Sequence, residues 1–309
     1  MTRLQVVSEA QIAYLDMARA QGEEATATEL LRLTEELLRL VRRRVEIGEV
    51  PAIQQTRAEI EVARAEQEVI KAQAEAVLRR ATLNRLVGRS RNQSLVLADS
   101  LALPESPLTI ETLLESALQN RPEAALIRAE LALRQGTLTV AERATRPTLS
   151  ADLTADAWSL DPYSYRQRTA AGNLPLFGVQ LRLGFPLGKD GAQQAEIARA
   201  RAEVAGQEAQ REAVHRRIIL EVESNLANLT AARTVALRYQ DVIVPKAEEL
   251  YRATRAGYEN GLSSLPEVLE AQRTLYQTRR EFGSALYHAA RAHVLLDAAL
   301  GTLPKEVTP

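Results

Sequence analysis

The stretch Ala58-Glu-Ile-Glu-Val62-Ala-Arg-Ala65-Glu-Gln-Glu-Val69-Ile-Lys-Ala72-Gln-Ala-Glu-Ala76 decides the fold. Its small apolar residues Ala58, Val62, Ala65, Val69, Ala72 and Ala76 are separated by 4, 3, 4, 3 and 4 positions, the seam of a helix packed lengthwise on another. A second stripe, Ile60, Ala63, Ile70, Ala74, Val77 and Ala81, with Gln67 in the remaining place, follows a different face of the same helix. A helix with two seams has two neighbours. A wall or barrel of helices supplies them, and so does an ordinary antiparallel bundle with broad apolar faces; the seams alone do not separate the two.

The register returns later in the chain. Placing Gly48 on Gly261 also places Gly88 on Gly301, one constant offset with no gap between. Under that offset Ala58, Val62, Ala65, Val69, Ala72 and Ala76 fall on Ala271, Leu275, Thr278, Phe282, Ala285 and Ala289. Upstream, Ala13-Tyr-Leu-Asp-Met-Ala-Arg matches Ala227-Asn-Leu-Thr-Ala-Ala-Arg after a one-residue adjustment, so the duplication includes both arms of a helical hairpin. Glycine and proline punctuation agrees. Helices are predicted from Arg3 to Ile47, up to Val87, from Thr109 to Gln119, from Pro122 to Arg146, from Gln193 to Asn260 with a candidate kink at Pro245, and from Leu265 to Leu300, capped by Gly301. Ala195, Ala198, Ala202, Ala205 and Ala209 form a further alanine seam.

Composition fits long helices at close range better than a thick globular core. Apolar residues make up 46% of the 309, aromatic ones only 4%, so alanine and leucine carry the packing. Lys and Arg number 39 against 40 Asp and Glu, which leaves no basic field for nucleic acid. The chain has no cysteine, which removes disulfide scaffolds, cysteine zinc sites and thiol nucleophiles. The longest run without a charged side chain, Thr169 to Leu181, falls well short of the roughly 20 residues needed for a spanning helix. Met1-Thr-Arg-Leu-Gln-Val-Val-Ser-Glu9 has no apolar core of a signal peptide.

One segment is not helical. Pro147 to Trp158 alternates, with Leu149, Ala151, Leu153, Ala155 and Ala157 on one face, and Gly178 to Pro186 alternates with Val179, Leu181, Leu183 and Phe185 against Gln180, Arg182 and Gly184. These read as two strands of about ten residues, the length that crosses a bilayer when tilted. Paired with other hairpins, they would turn Leu, Val and Phe to lipid, and Asp152, Asp156, Gln180 and Arg182 to an aqueous lumen. Trp158, Tyr163, Tyr165 and Phe177 would then form an interfacial aromatic girdle. A small amphipathic hairpin covering a helical bundle has the same alternation.

Catalytic and metal chemistry is not expected. His288 and His293 are five apart and lie on different helix faces, and His215 is isolated. Gly184-Phe-Pro-Leu-Gly188-Lys-Asp-Gly191 has a glycine spacing one short of a P-loop, and Asp190 stands where Ser or Thr would meet magnesium. No nucleophile and base are placed at a supporting spacing. No cofactor is expected.

Two helical hairpins related by duplication, with a β-hairpin leading into the second, resemble the TolC-type outer-membrane efflux proteins. The resemblance covers nearly the whole chain. Its most specific parts are Ala256-Gly-Tyr-Glu-Asn-Gly-Leu-Ser-Ser-Leu-Pro-Glu-Val-Leu-Glu-Ala-Gln272, similar to the family's periplasmic tip turn, and Ala298-Ala-Leu-Gly-Thr-Leu303, similar to its closing segment. Asn120-Arg-Pro-Glu123 and Phe185-Pro-Leu-Gly-Lys-Asp-Gly191 add support, the latter without the usual aromatic after Leu187.

The resemblance implies a mainly α protein whose long antiparallel hairpins form a periplasmic α-barrel. Its strands would join a trimeric transmembrane β-barrel, four from each copy. It divides the chain into a first-repeat hairpin (1–90, tip at 47–51), an irregular equatorial segment with a short helix (91–121), a helix (122–146), a transmembrane β-hairpin (147–188), a second-repeat hairpin (189–303, tip at 258–266) and a tail (304–309). It implies a homotrimer in the outer membrane, in contact with its lipid, that acts as the exit duct for an inner-membrane pump and a periplasmic adaptor and performs no chemistry. Adaptor contacts would fall on the tips, Ile47, Gly48 and Glu49 and Asn260, Gly261 and Leu262. Tyr258, Glu267 and Glu270 occupy the family's pore-constriction positions; Ser263 replaces a basic residue often found two after the glycine, which puts the bonding that locks the closed state in doubt. Read as residues alone, the two glutamates are equally ordinary solvated helix charges.

Shifting the β-hairpin back by the repeat offset puts its partner well upstream of Met1. The expectation is therefore a chain started late or truncated, without a signal peptide, a leading helix and a first β-hairpin. A coiled-coil scaffold in which the hairpin is incidental is the rival reading.

Overall fold

The computed structural model describes residues 3–90, 93–95, 97, 101–104, 109–144, 146–158, 174–185 and 191–302. Among the described residues the protein is mainly helical with one β-hairpin. In chain order the elements are α1 (Arg3–Glu46), α2 (Ile53–Leu86), α3 (Ile110–Asn120), α4 (Pro122–Arg143), β1 (Thr148–Trp158), β2 (Leu174–Gly184), α5 (Gly191–Arg238), α6 (Val244–Glu259) and α7 (Leu265–Leu300). Among the described residues no helix is long and apolar enough to cross a membrane. The chain divides into two compact units, Met1–Pro122 with His215–Pro309, and Glu123–Val214.

In the first unit the helices pack in the order α2, α1, α7, α6, each antiparallel to its neighbour. Leu37, Leu38 and Val41 of α1 meet Val268, Leu269 and Leu275 of α7, with Ala247 and Tyr251 of α6 completing the cluster. The small residues Ala58, Ala65, Ala271 and Ala289 are buried along these seams, where a short side chain lets the helices approach closely. Among the described residues the second stripe of α2 has no partner: Ile60, Ile70 and Val77 are 48%, 65% and 55% exposed.

The duplication read from glycines is reproduced in backbone geometry. Among the described residues the positive φ angles belong to Gly48, Gly88, Gly261 and Gly301, at 74°, 71°, 73° and 72°. Each closes a helix with the same pair of hydrogen bonds. Gly48 N donates to Val45 O and Glu49 N to Arg44 O; at the equivalent turn of the second repeat, Gly261 N donates to Tyr258 O and Leu262 N to Gly257 O. Gly88 and Arg89 on Arg85 and Asn84 are repeated by Gly301 and Thr302 on Ala298 and Asp297. This left-handed cap satisfies the last carbonyls, and glycine adopts it without a Cβ penalty.

At Pro245 the helix widens instead of breaking. Tyr239–Ile243 forms a π-helical turn directly ahead of α6. A proline lacks the N–H for the i−4 bond and its ring crowds that carbonyl, and one wider turn absorbs both defects. Arg121, in the turn between α3 and α4, is buried against Glu221 of α5 at 2.6 Å. The backbone of Asn120 and Arg121 passes so close to Gly301 that a Cβ there would meet it at 3.0 Å.

In the second unit α4 and the first part of α5 run antiparallel. Arg134 pairs with Glu203 at 3.1 Å, Arg201 with Glu142 at 3.0 Å, and Gln207 donates to Glu130 at 2.8 Å. Ala124, Ile127, Leu131 and Ala200 are buried in this unit. The alanine seam Ala195 to Ala209 faces away from that contact and is exposed. Leu126, Leu133 and Val140, spaced by seven, form an exposed apolar line on α4.

Candidate functional site

Two places carry the functional expectations, the paired hairpin tips and the β-hairpin. The tips are joined by Arg44, near the end of α1. Its guanidinium lies over the ring of Tyr258 at 4.8 Å, donates to the Tyr258 carbonyl, and pairs with Glu49 at 2.9 Å. Tyr258 is 2% exposed, and its hydroxyl donates to Gln54 Oε1 at 2.9 Å. One aromatic side chain of the second hairpin is thereby held by both arms of the first. Burial pushes the Tyr258 phenol above its ordinary range, against the pull of Arg44, so it stays a neutral donor at physiological pH. Below it Arg255 binds Glu36 and Glu259, each at 3.2 Å.

The outer residues of both turns are open. Ile47 and Leu262 are 63% and 85% exposed, and Asn260 donates back to Ala256 O at 2.8 Å. Gly257 allows the second turn to close, since a Cβ there would meet Ser263 Oγ at 2.4 Å. Glu267 turns back on its own helix, accepting from Ser264 N at 2.6 Å and Ser264 Oγ at 3.0 Å. The backbone bond from Ser264, and then its hydroxyl, hold the carboxyl below the usual glutamate range. Glu270, one turn on, is exposed, with Arg273 at 4.0 Å. Tyr258 is therefore enclosed within the chain, while Glu267 and Glu270 lie on an open face of α7.

The β-hairpin has two unlike faces. Leu149 opposes Leu183, Ala151 opposes Leu181 and Leu153 opposes Val179; between them Ser150 opposes Arg182, Asp152 opposes Gln180 and Thr154 opposes Gly178. Residues directly opposite in an antiparallel pair share a face, so over 148–154 and 178–184 one face is apolar and the other polar or small. The five large apolar residues are 55 to 77% exposed. Trp158 and Phe177 stand in the strands, opposite Leu174 and Ala155. Tyr163 and Tyr165 lie outside the described residues.

No group of His, Asp and Glu suited to a metal ion occurs among the described residues. The tip partner that sequence reasoning missed is Arg44. Ser263 stands at the position where a base is often found, and the cation comes from the other hairpin, 214 residues away in sequence.

The chain is similar to the cobalt-zinc-cadmium resistance protein CzcC of Cupriavidus metallidurans, 29% identical over 262 residues, 84% of this chain and 59% of CzcC. It is 28% identical to the outer membrane protein TolC of Escherichia coli over 213 residues, 65% of this chain and 42% of TolC. It thus spans about two-fifths to three-fifths of the length of these curated relatives. Among solved structures, the open-state MtrE outer membrane channel of Neisseria gonorrhoeae superposes with a TM-score of 0.70 at 18% identity, covering 97% of this chain and 66% of MtrE, and shares its fold. The profile described as outer membrane efflux protein matches residues 113–302, more than half of the chain, and the chain belongs to that family.

Proposed function

We propose that this chain is the wall of an outer-membrane exit duct, working with a periplasmic adaptor and an inner-membrane pump. The observation that carries the reading is the apolar face of the β-hairpin, from Leu149 to Leu153 and from Val179 to Leu183, exposed beside an equally ordered polar face. Such a face left in water is an aggregation hazard, and lipid covers it at no cost. Membership of the efflux family and similarity to CzcC, whose name records metal resistance, support the same reading. Three copies would close the layer α2–α1–α7–α6 into an α-barrel, with the exposed stripe of α2 against the next copy, and the hairpins would join a β-barrel. Trp158, Tyr163, Tyr165 and Phe177 would mark its interfaces.

The tips Ile47 to Glu49 and Asn260 to Leu262 would receive the adaptor. Tyr258, Glu267 and Glu270 are proposed to shape the constriction, the tyrosine by fixing the tip and the carboxylates by lining it. Rings of glutamate favour cations. The duct performs no chemistry; transport energy comes from the pump.

The reading is tested by fractionating the producing cells with antiserum against the chain and sizing the extracted protein by light scattering in detergent. A detergent-requiring trimer in the outer-membrane fraction is expected. A salt-soluble monomer or dimer would sink the proposal and favour a helical scaffold.

A further inference from the structure

A cavity of about 590 Å³ opens between α1, the residues Leu97 and Leu101, the start of α6, and α7. Its lining includes the apolar residues Leu97, Leu101, Val244, Phe282 and Leu286, and three arginines, Arg19, Arg279 and Arg280, against one acid, Glu23. Two mid-helix glycines, Gly22 of α1 and Gly283 of α7, line it together with Ala18.

Neither glycine is demanded by the chain itself. Both have ordinary φ angles, and a Cβ added at either meets nothing within 4 Å. Glycine inside a helix is destabilising relative to alanine. The other repeat keeps a side chain at these places: the repeat offset sets Gly283 on Ile70, and Gly22 on Val235, or on Ala236 with the one-residue adjustment. The space is thus particular to the α1·α7 seam, and it adjoins the π-helical turn that ends at Ile243, a kind of irregularity frequent at functional sites.

The arginines are only partly engaged by the protein. Arg19 lies over the Tyr287 ring at 4.9 Å and 3.8 Å from Glu23, with its Nε buried and without a hydrogen-bond partner. Arg279 donates to Glu248 at 2.7 Å. Arg280 stands over the Tyr276 ring at 5.6 Å and makes no ion pair among the described residues. The exposed guanidinium of Arg280, which lines the cavity, offers N–H donors for charge-assisted hydrogen bonds to an acidic guest.

We infer that this cavity is a binding site for a drug-sized organic anion with an apolar body, its acidic head between Arg19 and Arg280 and its body over Phe282 and Leu286. The volume is that of a small-molecule pocket, and its charge selects the sign of the guest. Binding at this seam requires no membrane and no pump, so it stands or falls apart from the duct reading.

Isothermal titration calorimetry of the full chain with 2-naphthalenesulfonate, blanked against the same buffer and detergent, tests it. Saturable binding of one molecule per chain is expected, weakened about tenfold or more in Arg280→Gln and for the neutral analogue 2-naphthalenemethanol. Gly283→Leu fills the space and abolishes binding; Gly22→Val, at the opposite wall, repeats the result in a second background, with circular dichroism confirming that each remains folded. Absence of saturable binding, or binding that survives both cavity-filling variants, overturns the inference. So does loss of self-association in Gly283→Leu without any binding by the parent, which would assign the space to a side chain of a second copy.

Discussion

The two helical hairpins are built from one pattern and end in different surroundings. In the second, α7 has α1 on one side and α6 on the other, and Leu275, Ala285, Ala289 and Leu296 are buried along it. In the first, α2 packs along α1 and reaches α7 through side chains, Arg273 to Glu61 at 2.5 Å and Tyr276 to Glu68 at 3.4 Å, while Ile60, Ile70 and Val77 face outward. The turns differ as little as the flanking helices differ much. Duplication copies the seam, but the outer stripe belongs to α2 alone: the offset sets Ile60 and Ile70 on Arg273 and Gly283, and among the described residues nothing covers that stripe. The hairpins teach that this chain is patterned for more neighbours than it contains.

Seven substitutions, grouped in four tests, break or sharpen that comparison. The largest difference is expected between Leu275→Ala, a buried truncation costing about 3 kcal/mol, and Ile70→Ala on the exposed stripe, which changes unfolding of the isolated chain by less than about 0.5 kcal/mol. Urea denaturation reads both, and equal costs would show that α2 is covered within the chain. Next come the equivalent closing glycines. Gly301→Ala carries both a left-handed φ and the backbone of Asn120 and Arg121 at 3.0 Å, for about 3 kcal/mol, whereas Gly88→Ala has open space and carries conformational strain of about 1 kcal/mol. Thermal melts that rank them the other way would remove the proposed packing of the α3–α4 turn.

Smaller effects belong to the tips. Tyr258→Phe removes the hydrogen bond to Gln54 and is expected to cost about 1 kcal/mol, read as a lowered urea midpoint; an unchanged midpoint would mean that the two hairpins are not joined there. The smallest effect sets Glu267 against its repeat equivalent, Gln54. Because the folded carboxyl of Glu267 titrates below its unfolded value, its contribution is complete above the unfolded pKa and is lost as pH falls through the folded one. Glu267→Gln should flatten that acid limb of a stability profile, and Gln54→Ala should leave its shape intact. Identical profiles for Glu267→Gln and the parent would contradict the capping role.

Much of this was legible in order along the chain. The constant offset between repeats anticipated all four left-handed glycine turns, because a helix end that needs φ above zero selects glycine wherever it is copied. Strict alternation anticipated the β-hairpin and its two faces. What stayed hidden depends on residues far apart in sequence. A seam such as Ala195 to Ala209 declares that a helix has a neighbour but not which one, and within this chain that seam is open. Arg44 over Tyr258 could not be read from either hairpin alone, since the usual position for a base holds Ser263. Pro245 announced a defect, but whether the helix bends or widens depends on the surrounding packing, and here a π turn takes it up. The cavity beside Gly283 required knowing that Gly22 faces the same space.

In the proposed duct the β-hairpin meets lipid on one face and water on the other. This chain has no cysteine, so nitroxides can be placed one at a time at 149 to 153 and at 179 to 183 of the membrane-assembled chain. Collision rates with oxygen and with a water-soluble nickel chelate should alternate with period two and in opposite phase, oxygen highest at Leu149, Leu153, Val179, Leu181 and Leu183, nickel highest at Ser150, Asp152, Gln180 and Arg182. Uniform access to the nickel chelate at every position, with no alternation, would contradict it.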